Sequence, residues 1–377
     1  MTYRRLIMHL FFGHGRRIHS RMRHSTLTIL TIAVLLTISQ PATVATAEKT
    51  DADYVIHMVV DGLRPDVIPA IGPEGLPNIY RMIREGAWTN NCRTDYDHTE
   101  TLPNHTDMLT SRPAKGSSGH GVSFNVDNGS TVHEAAGSYI TSIFDVVHDH
   151  GMRTGLFATK SKFEFYDRSW DAFNGRTDTI GFDNGRDKID VYHFNSTSSM
   201  LTETFITEMT GDPFNYAMIS LWDPDAAGHG AGWMSSKYRE AVQKVDGYLG
   251  QILKMVENSP VLQGHTTVLL MSDHGGTGYN HVTAKDLKNY RIPFLVWGAG
   301  VTAGGNLYAM NSESRAEPGD GRPDHNEIPQ PIRNGDSGNL ATQLLGLGTI
   351  DSSMFNSNHD LTVGKSGSIP LRRHSVE

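Results

Sequence analysis

The chain has 377 residues, 38% of them hydrophobic and 20% charged, with 33 basic and 41 acidic side chains. That is globular composition, enough to bury an ample core in one large α/β domain. The single cysteine, Cys92, excludes an intramolecular disulfide, which suits an exported bacterial protein better than a secreted eukaryotic one.

Arg4 to Arg23 carry six arginines and no acid, an apolar run follows from Leu27 to Ile38, and Ala45-Thr46-Ala47 closes the segment. This is the pattern of a secretory signal, with cleavage expected after Ala47 and a periplasmic or secreted mature protein. The apolar run is shorter than the ~20 residues that a membrane span needs, and no later segment is apolar enough to cross. The basic region is long, which makes Met8 and Met22 alternative starts. Arg16-Arg17 fits a twin-arginine signal poorly. Without residues 1–47 the chain keeps 27 basic and 41 acidic residues, a net charge of −14. Such a balance disfavours a nucleic-acid surface or a general affinity for anionic membranes.

Tyr54 to Val60 reads as a fully buried strand, and Leu76 to Glu85 as the helix after it. Helices are expected over Gly137 to His150, Leu201 to Met209 and Ser235 to Glu257. Strands are expected over Gly155 to Thr159, Asn215 to Leu221, Thr266 to Met271 and Ile292 to Trp297. Ala303 to Pro331, rich in Gly, Pro, Asp and Asn, predicts a long loop near the site. Asn339 to Leu345 predicts a last helix closed by Gly346, and residues beyond Leu361 a polar, disordered tail. Strand and helix in alternation predict a mostly parallel sheet with helices on both faces.

In such a sheet ligands bind beyond the carboxyl ends of the strands. Asp61 follows the first strand, Asp223 and Asp225 follow Ile219-Ser220-Leu221, and Asp273-His274 follow Val268-Leu269-Leu270-Met271. Three carboxylates at three strand mouths can converge. Taken singly, each residue is ordinary: Asp61 a turn or cap, Thr101 the N-cap of a helix, His281 a loop residue. Thr101-Leu102-Pro103-Asn104-His105 puts a hydroxyl at a helix N-terminus, where free N–H groups favour an oxyanion. Asp225 and His229 stand one helical turn apart, a spacing suited to one divalent ion, with Asp223 competing for the role. Adjacent Asp273 and His274 can share an ion if Gly275-Gly276 bends the chain, and His281 returns to serve a second.

Together these blocks resemble the alkaline phosphatase superfamily, most closely its type I phosphodiesterase/nucleotide pyrophosphatase branch. Val60-Asp61-Gly62, Thr101 to His105 with Gly119-His120-Gly121, Pro224-Asp225 with Gly228-His229, and Ser272-Asp273-His274-Gly275 carry the resemblance. It implies a three-layer α/β sandwich over residues 48–362, between the signal and a tail over 363–377. It also implies two divalent ions, Zn2+ with Mn2+ as the alternative. One would be held by Asp61, Thr101, Asp273 and His274, the other by Asp225, His229 and a third histidine. Thr101 would be the nucleophile and Asn104 would bond a phosphoryl oxygen. The branch's late His-Gly pair is missing here, so His281 stands in for the third histidine, with His325 as the fallback.

The implied activity is hydrolysis of a small phosphate ester, a diester or pyrophosphate first, through a phospho-threonine. A phosphomonoesterase, a phosphonate hydrolase, and a transferase or mutase are the alternatives. A sulfatase is disfavoured, because Cys92-Arg93-Thr94 does not fit its formylglycine motif. Arg64 and Arg112 are candidate cations for a monoester, and Trp222, Trp233 and Tyr279 candidate stacking partners for a base.

Overall fold

The computed structural model describes residues 52–364. The expected signal over residues 1–47, and residues 365–377 of the expected tail, lie outside the described residues. Eight strands form one sheet: Tyr54–Val60 (β1), Ala87–Arg93 (β2), Thr154–Ala158 (β3), Val191–Phe194 (β4), Tyr216–Leu221 (β5), Thr266–Met271 (β6), Arg291–Gly298 (β7) and Gly305–Asn306 (β8). Their order is β4-β3-β5-β1-β6-β7-β2-β8. All run parallel except β7, which pairs antiparallel with both β6 and β2.

Strand β1 sits at the centre because it is apolar on both faces. Val55 and Val59 enter one core with Met218, Leu269 and Met271. Ile56, Met58 and Val60 enter the other with Ile219, Leu270 and Leu295. The Ser236–Asn258 helix covers the second face with Val242, Val245, Leu249 and Ile252. The Thr101–Thr110 and Asp336–Leu344 helices cover the first with Leu102, Met108, Leu340 and Leu344. Each such fully buried side chain contributes roughly 1.5–3 kcal/mol over the exposed state. The product is the expected three-layer α/β fold. Among the described residues no helix is long and apolar enough to cross a membrane.

Register fixes where the site lies. Val60 pairs with Leu221 on one side, and Val59 with Met271 on the other. The three central strands therefore end level, and the residues after them meet on one edge.

The five expected strands are present, within a residue or two of the expected bounds. Of the helix expected over Gly137 to His150 only Ile143–Asp149 is helical, and a separate helix, Val132–Ala136, precedes it. Gly137 at φ +72° ends the earlier one, and a Ser142–Asp145 capping box starts the later. Strands β2 and β4 escaped the sequence pattern. Strand β2 reads Ala-Trp-Thr-Asn-Asn-Cys-Arg with a bulge between Thr89 and Cys92, and β4 is a partly exposed edge. The expected loop over residues 303–331 contains β8 and a helical turn, Leu307–Met310. The last helix starts at Asp336, and Gly346 closes it at φ +70°.

The buried sheet also holds a histidine. His57 Nδ1 lies 3.0 Å from the Tyr216 hydroxyl, and burial, aided by His105, holds its pKa down at about 3 against an ordinary 6.5. Burial lowers His120 likewise to about 3. Both stay neutral in the folded chain while the unfolded chain takes up protons below pH 6.5. Their stabilisation is therefore complete above that pH and drains as pH falls from 6.5 towards 3, by about 1.4 kcal/mol per pH unit for each. Calorimetry from pH 7 to 5 should show the melting temperature falling, with a shallower fall in His57→Gln; parallel slopes would refute the assignment.

Candidate active site

The loops after β1, β5 and β6 are tied to one another by backbone contacts. Asp225 N donates to Asp61 O at 3.1 Å. Gly62 N donates to Asp273 Oδ1 at 3.1 Å, and Leu63 N to Ser272 Oγ at 2.8 Å. Gly62 adopts φ +73°, and a Cβ there would stand 3.0 Å from Asp225 Cα. Gly275 and Gly276 serve closeness: a Cβ would meet Lys288 O at 2.0 Å and the Trp233 ring at 2.0 Å. Neither has a left-handed φ, so the bend expected of them comes from tight packing.

Two acid–histidine clusters result. Asp61, Asp273 and His274 form one, and Asp225, His229 and His281 the other, with ligand atoms inside 4.8 Å of one another in each. Asp225 and His229 face the same way from the Asp223–Ala231 helix, with Nε2 3.4 Å from Oδ1. Asp223 turns away, towards Ser198 and Lys244. His281 Nε2 lies 3.7 Å from Asp225 Oδ1, and its ring stacks on His274 at 3.6 Å, joining the clusters. His325 packs instead on Tyr96 and Phe355.

The histidines are oriented alike. Nδ1 of His274 donates to Gly275 O at 2.8 Å, that of His229 to Tyr279 O at 2.9 Å, and that of His281 to Thr99 O. A carbonyl only accepts, so each Nδ1 carries the proton and each Nε2 is turned towards the carboxylates. Asp61 Oδ1, Asp273 Oδ2 and His274 Nε2 are buried without hydrogen-bond partners, while Asp61 Oδ2 meets the Lys160 ammonium at 2.6 Å and Asp225 Oδ1 meets His229 Nε2 at 3.4 Å. Burying carboxylate oxygens with no partner is costly unless a cation takes their place in the accounting. Burial, reinforced by Asp61, raises the Asp273 carboxyl well above its usual range. Burial also pushes Asp225 up, but the His229 bond and the Lys160 ammonium outweigh it and hold Asp225 low. Burial, with His274 beside it, lowers His281 to about 3. The donor set, mixed carboxylate and neutral imidazole, fits a divalent ion such as zinc.

Thr101 is the first residue of its helix, with Glu100 in the cap position. Its hydroxyl lies 3.2 Å from Lys160 Nζ, which also lies 2.8 Å from Asp225 Oδ2 and 2.6 Å from Asp61 Oδ2. One ammonium thus touches the hydroxyl and both clusters. Asn104 is engaged elsewhere. Its Oδ1 accepts from Asp95 N and Asn334 Nδ2, and its Nδ2 donates to His98 O and Glu100 O. Both N–H groups of Asn104, the residue expected to bond a phosphoryl oxygen, thus donate to the loop before Thr101. The amide beside Thr101 is Asn125, whose Oδ1 accepts from Leu102 N at 3.0 Å and Lys162 Nζ at 2.7 Å.

Lys160, Lys162 and Asn125 escaped the sequence reading. Lys160 directly follows the expected strand that became β3, so its place on the edge was available. Asn125 is brought in only by the folded loop. The candidate cations Arg64 and Arg112 point elsewhere, Arg64 to Gly276 O and Asp66, Arg112 to Ser118 O and Asp351 O. Trp233 is a packing residue, its Nε1 donating to Gly62 O at 3.0 Å. Trp222 and Phe194 line a cleft of about 510 Å³ that reaches Lys160, Lys162, Asp225 and His229. A further acid–histidine group, His148, Asp149 and Asp178, already holds a cation, the buried Lys188 ammonium.

With this geometry in hand, similarity to known proteins is decisive about family. The profile of the type I phosphodiesterase / nucleotide pyrophosphatase family matches residues 55–320, more than half the chain. The chain belongs to that family. It is 25% identical over 322 residues to GPI ethanolamine phosphate transferase 1 of Mus musculus, covering 80% of this chain and 32% of that protein. It thus spans about a third of that relative's length. Murine ectonucleotide pyrophosphatase / phosphodiesterase 5 shares the fold, with a TM-score of 0.56 and 16% identity over 82% of this chain and 99% of that one. An alkaline phosphatase superfamily protein from Vibrio parahaemolyticus does too, with a TM-score of 0.54 and 14% identity over 83% and 71%. The fold is that of the alkaline phosphatase superfamily.

Gly62→Ala combines a left-handed backbone with a Cβ pressed on Asp225, and is expected to cost about 1–2 kcal/mol from the backbone alone. Chemical denaturation measures it, and a variant as stable as the parent would show that the three loops are not locked at this point.

Proposed function

We propose that this family member is a metal-dependent phosphoester hydrolase in which Thr101 is the nucleophile. The observation that carries this reading is the pair of buried carboxylate–imidazole clusters, whose acids outnumber the one ammonium among them, gathered around one helix-terminal hydroxyl. Asp61, Asp273 and His274 would hold one ion beside Thr101, and Asp225, His229 and His281 the second, zinc or else manganese. His281 is preferred to His325 because it faces Asp225. Bound ions would supply Lewis-acid charge that lowers the pKa of the hydroxyl and stabilises the departing oxygen.

The rest falls to the chain. Thr101 Oγ gives up its proton and attacks phosphorus, and the bond from phosphorus to the leaving oxygen breaks in line. The leaving oxygen takes a proton, and water then breaks the bond between the phosphoryl group and Thr101 Oγ, releasing phosphate or a monoester. The helix N-terminus at Thr101 favours the transferred oxyanion. Asn125, with its Oδ1 occupied, has its Nδ2 to offer a phosphoryl oxygen, the role earlier expected of Asn104. Export behind a signal over residues 1–47, with residues 48–362 as the catalytic domain, completes the reading.

A second reading, transfer of the phosphoryl group to an alcohol other than water, draws on the ethanolamine phosphate transferase relative. A sulfatase is disfavoured further by Cys92, which is fully buried in β2.

Thr101→Val should abolish turnover of nitrophenyl esters while metal content by elemental mass spectrometry stays at the parent's value; turnover near the parent's would remove Thr101 from the mechanism. Adding ethanolamine or a sugar to the assay should leave free phosphate as the main product. Product that shifts to the alcohol's phosphate ester instead favours the transferase.

A further inference from the structure

Two lysines stand where the reaction would happen, and neither is a metal ligand. They follow the end of β3 two residues apart, Lys160 just before and Lys162 in the middle of the Ser161–Phe163 helical turn. Lys160 Nζ lies 3.2 Å from Thr101 Oγ. Lys162 Nζ lies 2.7 Å from Asn125 Oδ1 and 3.3 Å from Asn125 O. That same Oδ1 accepts from the backbone N–H of Leu102, the residue after Thr101. The two ammonium groups therefore flank the first turn of the Thr101 helix.

Their partners differ. Lys160 is paired with Asp61 and Asp225. Lys162, only partly exposed, has no carboxylate within ion-pair distance among the described residues, and its one side-chain partner is a neutral amide. An ammonium drawn out of water with no counter-ion, at the N-terminus of a helix, leaves an anion's place open. Both lysines also line the cleft of about 510 Å³, with Phe194 and Trp222 as its apolar wall.

We propose that Lys160 and Lys162 select a terminal, dianionic phosphoryl group, so that this enzyme acts on phosphomonoesters or terminal phosphates in preference to diesters. A diester phosphoryl group carries one negative charge and puts a second carbon substituent where one of these ammonium groups would bond. A monoester offers three unsubstituted oxygens and a second negative charge, which matches the Lys162 ammonium, whose side-chain partner is a neutral amide. The organic part of the ester then lies between Phe194 and Trp222. The proposal rests on Thr101 being the nucleophile, and it narrows the substrate of that same site.

The test compares 4-nitrophenyl phosphate with methyl 4-nitrophenyl phosphate, which share a leaving group, on the metal-loaded full chain. Wild type should have the higher kcat/KM on the monoester. Lys162→Met should lower that value by about 10²-fold, the usual loss on removing one donor to a developing charge, with only a few-fold change on the diester. Lys162→Arg should restore most of it. As a second readout, inorganic phosphate should bind about tenfold more weakly by calorimetry to Thr101→Val/Lys162→Met than to Thr101→Val, one charge-assisted contact fewer. Lys162→Gln, with its melting temperature checked, covers a Met variant that fails to fold. Equal losses on both esters, a wild-type preference for the diester, or unchanged phosphate binding would each overturn the proposal. A Thr101→Val protein that still turns over would instead sink the nucleophile reading, so the two failures are told apart.

Discussion

The site depends on one geometric constraint, the level ending of three adjacent parallel strands. β5, β1 and β6 are neighbours in the sheet, and their registers bring Leu221, Val60 and Met271 to the same edge. A parallel sheet delivers every chain to that edge in the same direction, so the residues after each strand have nowhere else to go. The hydrogen bonds from Asp225 N to Asp61 O and from Gly62 N to Asp273 Oδ1 convert proximity into fixed positions. Gly62 makes the contact feasible, since any side chain there would press on Asp225.

A constrained edge can hold charges that would be expensive elsewhere. Asp61, Asp225 and Asp273 are buried there with a single ammonium, Lys160, among them, while backbone carbonyls fix three imidazoles with Nε2 inward. Such groups are tolerated when the assembly is built to receive a cation. The contrast with His148, Asp149 and Asp178 is instructive. There one ammonium, Lys188, meets both carboxylates, whereas at the site Lys160 meets Asp61 and Asp225 and leaves Asp273 without a cation.

The family profile spans β1 to the loop after β8, and so covers all the strand ends that carry the clusters. It says nothing about Lys160 and Lys162, which the structure puts beside Thr101. How charge is distributed around a shared nucleophile is where members of one fold diverge in substrate.

The sequence by itself determined the alternation of strands and helices, because buried parallel strands read as short continuous apolar runs. It also placed acids just beyond those strands, Asp61, Asp273 and the pair Asp223 and Asp225, since each follows the end of such a run. The bulged, polar β2 and the edge strand β4 were illegible, because pairing rather than apolar pattern makes them strands. Only the tertiary structure decided the roles of residues that meet across long separations. It spent the Asn104 amide on the loop before Thr101 and brought Asn125 to Leu102. It chose His281 over His325 as the partner of Asp225, and turned Asp223 away. Each of those outcomes depends on a side chain's direction and its hydrogen-bond partner, and neither is encoded locally.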